Sequence, residues 1–272
     1  MDQGTITTSQ PTKKRTLDEY FGQAKRPKPT PDSKSPSTYD LRATLSPLPA
    51  PLIPATHSFP LPEADLSVPG LSLVHKFITP AEQSPIINFL STQPWRTDLA
   101  RRTIHYGGTY CLMPPRNASP AERAAIERTI ITAAPIPHEL QGIIDRMVSH
   151  GLYRNDKKPA YCIVNEYLPG HGISAHVENF RFDEPVCSLT LGDGDFMRFH
   201  ELSQPDDGSV RSGKAAKAQK TGRRKDVWLS SGSLVVLSGD ARWRWQHEIV
   251  RGKSKGNGKG WKRVSLTFRV EK

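Results

Sequence analysis

Residues 165–180 read NEYLPGHGISAHVENF, and the decisive part of this stretch is His176-Val177-Glu178. The histidine and the glutamate are two positions apart, so on a strand or at its end both side chains point to the same side. An imidazole and a carboxylate placed in this way can share one metal ion. The same pair can also be two ordinary polar residues on the solvent face of a strand. The rest of the chain has to decide between these two interpretations.

The composition indicates a folded domain that is preceded by an arm. The chain has 272 residues, enough for a sizeable core, but only 36% of them are hydrophobic and 24 are proline. Residues 46–70 read SPLPAPLIPATHSFPLPEADLSVPG, a run that cannot sustain a helix or a central strand. We therefore predict a disordered arm over residues 1–68 and one folded domain over residues 69–272.

The charge and the cysteines indicate where the protein works and what it meets. A net charge of +11 favours a polyanionic partner, most simply a nucleic acid, although a merely soluble basic protein has the same charge. Cys111, Cys162 and Cys187 are scattered without a Cys-x-x-Cys motif, which predicts reduced thiols inside a cell. The sequence has no apolar run of 18 residues and no signal-peptide pattern, so we expect a soluble monomer without a membrane partner.

Capping patterns and hydrophobic periodicity predict helices first and strands afterwards. Thr79-Pro80-Ala81-Glu82 and Ser119-Pro120-Ala121-Glu122 each combine an N-cap residue, an N1 proline and an N3 acid. A further helix is predicted near 138–150, where Gly151 ends it. Short strands are then predicted over 160–168, 185–191, 195–200, 226–230, 233–238, 242–250 and 262–270. This order predicts an α+β domain built on an antiparallel sandwich or barrel.

Two basic segments interrupt the predicted strands. Residues 203–226 contain seven Lys or Arg against three Asp, and residues 251–262 contain five basic residues and no acid. Both segments are too polar to be buried. We expect loops whose cations contact a nucleic-acid backbone without reading its sequence.

A third ligand that completes a metal site with His176 and Glu178 has to come from a distant part of the chain. A ferrous site that activates oxygen uses two imidazoles and one carboxylate on one face of the ion and leaves the other positions open. His247, in the segment RWRWQHEIV (242–250), lies on another predicted strand at a similar position relative to the sheet. It is the candidate third ligand.

Further motifs surround these residues in a fixed order: NEYLPG (165–170), SLTLG (188–192), GSL (232–234), GDAR (239–242) and RVSLTFR (263–269). The combination N-x-Y-x-x-G, H-x-[D/E], a distal His and R-x5-R resembles the AlkB family of iron- and 2-oxoglutarate-dependent dioxygenases. The resemblance covers roughly residues 71–272 and is most specific in its C-terminal part.

The resemblance implies a fold, a cofactor set and a role for each matching residue. The implied fold is a double-stranded β-helix (jelly roll) with flanking N-terminal helices, and the implied cofactors are Fe(II), 2-oxoglutarate and O2. His176, Glu178 and His247 match the metal ligands. The residues that match the co-substrate contacts are Asn165 and Tyr167, Arg263 for the distal carboxylate, and Arg269 near the metal-bound end.

The spacing of Arg263 and Arg269 agrees with that assignment. Residues six apart on a strand point to one face, and arginine binds carboxylates bidentately without titrating. By themselves, the two could equally be solvent-facing arginines at a basic C-terminus.

Two positions depart from the family pattern. The family usually has aspartate where this chain has Glu178, which leaves open either ligation by a shifted carboxylate or a weak site. Members that repair DNA bases often have an acid two residues past the carboxylate ligand, where this chain has Phe180. Glu184 is an alternative acid further along, so the base preference stays open.

The activity implied by the resemblance is oxidative demethylation of N-alkylated nucleobases, which requires the base to leave the stack. Residues 95–110, WRTDLARRTIHYGGTY, resemble the family's substrate-facing lid. Tyr106 and Tyr110 are candidates to stack on the base, and Arg242 matches a family arginine near the pocket. Packing residues and a surface salt bridge are the alternatives for these three. DNA is favoured over RNA, and a tRNA or protein substrate or a catalytically weak nucleic-acid-binding module are the other interpretations.

The arm contains two kinds of short motif. Lys13-Lys14-Arg15 and Lys25-Arg26-Pro27-Lys28 form a bipartite pattern that predicts import into the nucleus. Between them, Leu17, Tyr20 and Phe21 fit the apolar part of a motif that binds the sliding clamp of replication. Lys14 stands where that motif usually has glutamine, so a chance apolar island is the alternative. Clamp docking is the reason for favouring DNA.

Overall fold

The structure, a computed structural model, describes residues 48–56, 61–65, 67–111, 118–206, 218–252, 258 and 260–272. The predictions for residues 13–28 lie outside the described residues, as do parts of the two basic segments. None of the helices in the described ranges combines the length and the apolar composition that crossing a membrane requires.

Within those ranges, two antiparallel sheets form the body of the domain. The larger sheet has the strand order β1-β2-β11-β8-β13-β6-β3, the smaller sheet has the order β10-β9-β12-β7, and β4 pairs with β5 in a separate ribbon. The strands are β1 (Glu63–Ala64), β2 (Leu71–Val74), β3 (Arg102–Tyr106), β4 (Thr109–Cys111), β5 (Ile130–Thr132), β6 (Tyr161–Tyr167), β7 (Ile173–His176), β8 (Val186–Gly192), β9 (Asp195–Leu202), β10 (Lys220–Leu229), β11 (Leu234–Leu237), β12 (Trp245–Ile249) and β13 (Arg263–Arg269).

The helices are α1 (Pro80–Ser91), α2 (Pro120–Arg128), α3 (Gln141–Ser149) and α4 (Gly239–Trp243), with a 3₁₀ turn at His138–Leu140 before α3. Thr79 and Ser119 each form the predicted capping box with the glutamate three residues later. Gly151, at φ 71°, follows the end of α3 in the left-handed conformation that glycine favours there. The three predicted helix positions are therefore confirmed.

Alternation along the strands of the larger sheet separates two hydrophobic cores. On β6, Cys162 and Val164 face the helices and belong to one core with Ile86 of α1 and Ile143 of α3. Tyr167 has the opposite parity and packs between the two sheets. The strand face between the sheets also has polar side chains, and these line the candidate site.

This arrangement confirms the predicted α+β double-stranded β-helix with flanking helices, and it corrects several strand limits. β10 begins at Lys220, so residues 220–225 belong to a strand although their composition predicted a loop. They lie at the edge of the smaller sheet, where long cationic side chains remain in solvent. The region 242–250 divides into the end of α4 and β12.

Residues 48–56 pack against the domain although the sequence analysis assigns them to the arm. Ile53 is 2% exposed and joins the helix-side core. The Leu52 amide donates to the Glu139 carbonyl, and Arg146 of α3 donates to the Pro54 carbonyl at 2.7 Å. A side chain at Gly142 would collide with the Ile53 backbone, so this close approach requires glycine.

Candidate active site

The structure brings His176, Glu178 and His247 together between the two sheets. β12 pairs with β7 so that His247 stands opposite His176, and their ring centroids are 4.5 Å apart. Glu178 follows the end of β7, and its Oε1 lies 3.5 Å from Nε2 of His247 and 4.0 Å from Nε2 of His176. One possible ligand atom from each residue lies within 4.8 Å of the others. This donor set, two imidazoles and a carboxylate, fits a ferrous ion.

Local hydrogen bonding prepares His176 for ligation. Its Nδ1 lies 2.8 Å from the Ser174 carbonyl, which can only accept, so Nδ1 carries the proton and Nε2 keeps a lone pair. Burial and the neighbouring His247 lower the pKa of His176 to about 4. The ring is therefore neutral at neutral pH, which is the form that binds metals.

Arg269 controls the charge of Glu178. Its Nε and Nη2 donate to the two carboxylate oxygens at 2.7 and 3.0 Å, and both residues are buried. Burial alone would raise the pKa of Glu178, but the Arg269 guanidinium and a hydrogen bond from His247 hold that pKa well below its usual range. The carboxylate therefore stays ionised, as a metal ligand must.

Beside the triad is a small cavity of about 40 Å³. Arg263 is 1% exposed at its wall, and its Nη2 donates to Thr190 Oγ1 at 2.9 Å. Its Nε and Nη1 are buried without a hydrogen-bond partner among the described residues. A buried cation with unpaired donors is costly unless an anion completes it, so the cavity fits a carboxylate.

Asn165 and Tyr167 line the same cavity from β6. Tyr167 is 2% exposed, and the Arg263 guanidinium lies 5.3 Å from its ring centroid. Oδ1 of Asn165 accepts from Nε of Arg101 at 2.8 Å. The predicted co-substrate residues on β6 and β13 thus face one space.

Tyr106 is not at the site, and this corrects the sequence prediction. It pairs with Cys162 in the β3–β6 register and therefore shares the parity of the helix-facing residues. The side chain is 5% exposed within the helix-side core. Since the larger sheet separates it from the cavity, Tyr106 cannot stack on a substrate base.

Arg242 is also used differently from the prediction. It is 1% exposed and donates to the carbonyls of Glu178, Asn179 and Phe182 at 2.7–3.1 Å. Its guanidinium lies 3.9 Å from the Trp243 ring centroid. Arg242 therefore fixes the loop that carries Glu178, and these contacts leave it no reach toward a substrate.

Tyr110 packs against a residue that the sequence analysis did not select. Its ring centroid lies 4.5 Å from that of His105, and the Arg96 guanidinium lies 4.2 Å over the tyrosine ring. His105 pairs with Ile163, which pairs with the cavity-lining Thr267, so His105 belongs to the inner face of the larger sheet. Alternation in RTIHY is the signal that would have selected His105 once Tyr106 was known to face the helices.

A fold of this kind with a two-histidine, one-carboxylate site defines a class of non-haem iron oxygenase. The chain belongs to the 2OG-Fe(II) oxygenase superfamily, whose family model matches residues 70–269. It is a 2-oxoglutarate-dependent dioxygenase that uses Fe(II), 2-oxoglutarate and O2. Within the class it is AlkB-like, because its relatives include the AlkB homologues described next.

Two curated relatives and one solved structure illustrate the similarity. The Alkylated DNA repair protein ALKBH8 homolog of Arabidopsis thaliana is 27% identical over 76% of this chain and 60% of that protein. The RNA demethylase ALKBH9B of Arabidopsis thaliana is 26% identical over 66% of this chain and 32% of that protein. The structure of OsALKBH1 is 21% identical with a TM-score of 0.46, over 74% of this chain and 98% of that one. The chain spans less than two thirds of the length of both curated relatives.

Proposed function

We propose that the protein removes N-alkyl groups from nucleobases by oxidation. His176, Glu178 and His247 hold Fe(II), and Arg263 binds the distal carboxylate of 2-oxoglutarate beside Asn165 and Tyr167. The observation that carries the proposal is that two Arg263 donors, in a cavity next to the triad, have no hydrogen-bond partner among the described residues. A dicarboxylic acid with one end at the metal and the other at Arg263 satisfies both features.

The proposed reaction uses the two co-substrates of this enzyme class, 2-oxoglutarate and O2, and its atoms balance. When bound, iron and 2-oxoglutarate supply oxygen activation: one oxygen atom ends in succinate as CO2 leaves, and the other hydroxylates the N-alkyl carbon. The hydroxylated group then leaves as an aldehyde, and the base nitrogen regains a hydrogen. The protein's own part is to keep His176 in one tautomer through Ser174 and to keep Glu178 ionised through Arg269.

A nucleic-acid substrate is supported by the net charge and by two aromatic rings, those of His105 and Tyr110. The net charge of +11 favours a polyanion. His105, on the inner face of the larger sheet, and Tyr110, packed beside it, are half-buried rings, and we infer that a base that has left its stack is held next to them. Both relatives named above carry nucleic-acid activities in their names.

DNA is the first candidate and RNA the second. The preference for DNA rests on the clamp-like residues Leu17, Tyr20 and Phe21, which lie outside the described residues. RNA is favoured by the relative named as an RNA demethylase. The cavity and the two rings in the described part of the protein fit a base of either polymer, so they favour neither DNA nor RNA.

The test is a substrate panel with the iron-loaded full chain. Matched single-stranded DNA and RNA oligonucleotides with one N-methylated base, and a methyl-lysine peptide, would be assayed for methyl loss and for succinate. Unmethylated oligonucleotides and reactions without 2-oxoglutarate are the controls. We expect demethylation of DNA with one succinate for each methyl group lost. Faster RNA turnover would move the assignment to RNA, and turnover of the peptide alone would contradict a nucleobase substrate.

A further inference from the structure

The orientation of one cavity amide depends on a residue outside the cavity. Asn165 is 6% exposed and lines the cavity from β6. Its Oδ1 accepts from Nε of Arg101 at 2.8 Å. No hydrogen bond joins its Nδ2 to another residue in the described part of the chain, so the NH2 end of the amide is available to a ligand.

The chemistry of arginine decides which end of the amide faces which way. A guanidinium has five donors and no acceptor, so the atom of Asn165 next to Arg101 has to be the oxygen. The Nδ2 group is then turned away from Arg101. Without that partner, an amide can rotate and exchange its oxygen and nitrogen at small cost, because their shapes are nearly equal.

Arg101 is distinct in this respect from the arginine beside it. Arg101 immediately precedes β3 and points to the inner face with Asn165. Arg102 points the opposite way, where it donates to both oxygens of Glu166 at 2.6 and 2.8 Å. The two neighbouring arginines therefore lie on opposite faces of the sheet, so a variant of Arg102 is a matched control for a variant of Arg101.

We propose that Arg101 is a positioning residue that fixes the Asn165 amide with its Nδ2 toward the cavity, ready to donate to a carboxylate of 2-oxoglutarate. The inference rests on the proposed placement of 2-oxoglutarate in this cavity. Arg101 would thus affect co-substrate affinity through Asn165, in addition to the direct donors of Arg263. When Asn165 is fixed in this way, its NH2 group faces the carboxylate in the cavity. Its amide oxygen, which would repel a carboxylate, faces Arg101 instead.

Co-substrate binding can be measured without turnover. Calorimetry of 2-oxoglutarate with the Mn(II)-loaded full chain would compare the parent with Arg101→Ala, Asn165→Ala and the double variant. One hydrogen bond to a charged group corresponds to roughly a tenfold change in affinity, so each single variant should weaken binding about 5- to 20-fold. Because Arg101 acts through Asn165, the double variant should bind within about twofold of Asn165→Ala. Arg102→Ala is the matched control and should bind as the parent does.

A second variant keeps the Arg101 contact and reverses the ligand-facing group. Asn165→Asp retains an acceptor for Arg101 but presents an oxygen instead of an NH2 group to the cavity. It should bind 2-oxoglutarate more weakly than Asn165→Ala while Mn(II) affinity and melting temperature stay at the parent's values. Binding equal to the parent's would overturn the inference, even if Arg101→Ala failed to fold.

The outcomes separate the inference from the function on which it rests. Parent-like affinity in Arg101→Ala, or losses in the single variants that multiply in the double variant, would overturn the role of Arg101 alone. Parent-like affinity in both Asn165→Ala and Arg263→Ala would contradict the placement of 2-oxoglutarate, and the inference with it.

Discussion

The two arginines at the ends of β13 share one strand face but contact different groups. Arg269 donates to both oxygens of Glu178 and to the Thr267 carbonyl. Arg263 donates to Thr190 and has two further donors without a partner in the described residues. Arg269 therefore belongs to the electrostatics of the metal ligands, and Arg263 is the residue that offers free donors to a ligand.

This difference predicts a selective effect of Arg263→Ala. A bidentate charged contact contributes roughly 2–3 kcal/mol, so the 2-oxoglutarate concentration for half-maximal turnover should rise about 30- to 150-fold. Fe(II) affinity should change little, because Arg263 does not contact the triad. Arg198→Ala, which removes an ion pair with Asp226 on the outer face, is the control. An unchanged 2-oxoglutarate titration would remove Arg263 from the pocket.

The triad could be predicted from the sequence because the order of the motifs specifies its residues. Predictions were wrong where the direction of a side chain depends on strand register. His176, Glu178 and His247 are fixed by motifs whose spacing is visible in the chain. Tyr106 and Arg242 have suitable chemistry, but their directions depend on the register of β3 and on the loop after β7. No motif in the sequence reports either of these, so aromatic and cationic character alone selected them.

At the scale of elements, local chemistry was predictable and pairing partners were not. The capping boxes at Thr79 and Ser119 need only four consecutive residues, and both formed as predicted. β7 was not among the predicted strands, since its segment ISAH has only four residues and Ile173 is its one strong strand former. It forms because β12 supplies its partner, with His247 opposite His176.

Glu82, the capping acid of α1, also forms an ion pair with the buried Arg146. This pair predicts that the protein loses stability in acid. Burial would raise the pKa of Glu82, but hydrogen bonds from the fully buried Arg146 and from the Thr79 amide lower it from 4.5 to about 2. Since the folded pKa is the lower one, this stabilisation is complete above pH 4.5. It is lost as the pH falls from about 4.5 to about 2.

Glu82→Gln should therefore lower the free energy of unfolding by about 2–3 kcal/mol at pH 7 and by much less near pH 2. Glu122→Gln is the matched control, since Glu122 has the same capping position in α2 without a buried arginine. Urea denaturation at several pH values measures both variants. Equal losses for the two glutamates would show that the cap, and not the Arg146 pair, accounts for the effect.

At the scale of the whole molecule, the excess positive charge can be assigned in part to β10. Arg223 and Lys225 on this edge strand pair with Glu201 and Asp65. Lys220 and Arg224 make no ion pair with another described residue. These two cations remain available for a polyanion.

Replacing Lys220 and Arg224 by alanine should weaken binding to all nucleic-acid sequences alike, because we expect these side chains to contact phosphates. Each lost contact should lower the salt-dependence slope by about one. Arg223→Ala/Lys225→Ala removes two cations that are already paired and should have a smaller effect. Titrations at several salt concentrations measure both, and a loss confined to one sequence would contradict backbone contact. The same uniform loss is expected for cations in residues 251–262.

The arm predictions concern residues outside the described ranges. We expect a peptide of residues 10–28 to bind the sliding clamp through Leu17, Tyr20 and Phe21. Calorimetry would compare it with a Leu17→Ala/Phe21→Ala peptide of the same charge. Equal binding by both would show that only charge is at work and would remove the argument for DNA.

Nuclear import by the two basic clusters is a separate prediction, tested by fusing residues 10–30 to a cytoplasmic reporter.

Binding of Fe(II) by His176, Glu178 and His247 is the proposal on which the 2-oxoglutarate-dependent activity of this site depends. The most direct measurement is iron content together with succinate formation in the parent, His247→Ala and His200→Ala. His200 lies on the neighbouring β9 and pairs with Glu248, so it is the matched control. We predict one Fe(II) per chain and succinate formation in the parent and in His200→Ala, and loss of both in His247→Ala. Iron content and succinate formation at the parent's level in His247→Ala would contradict the account.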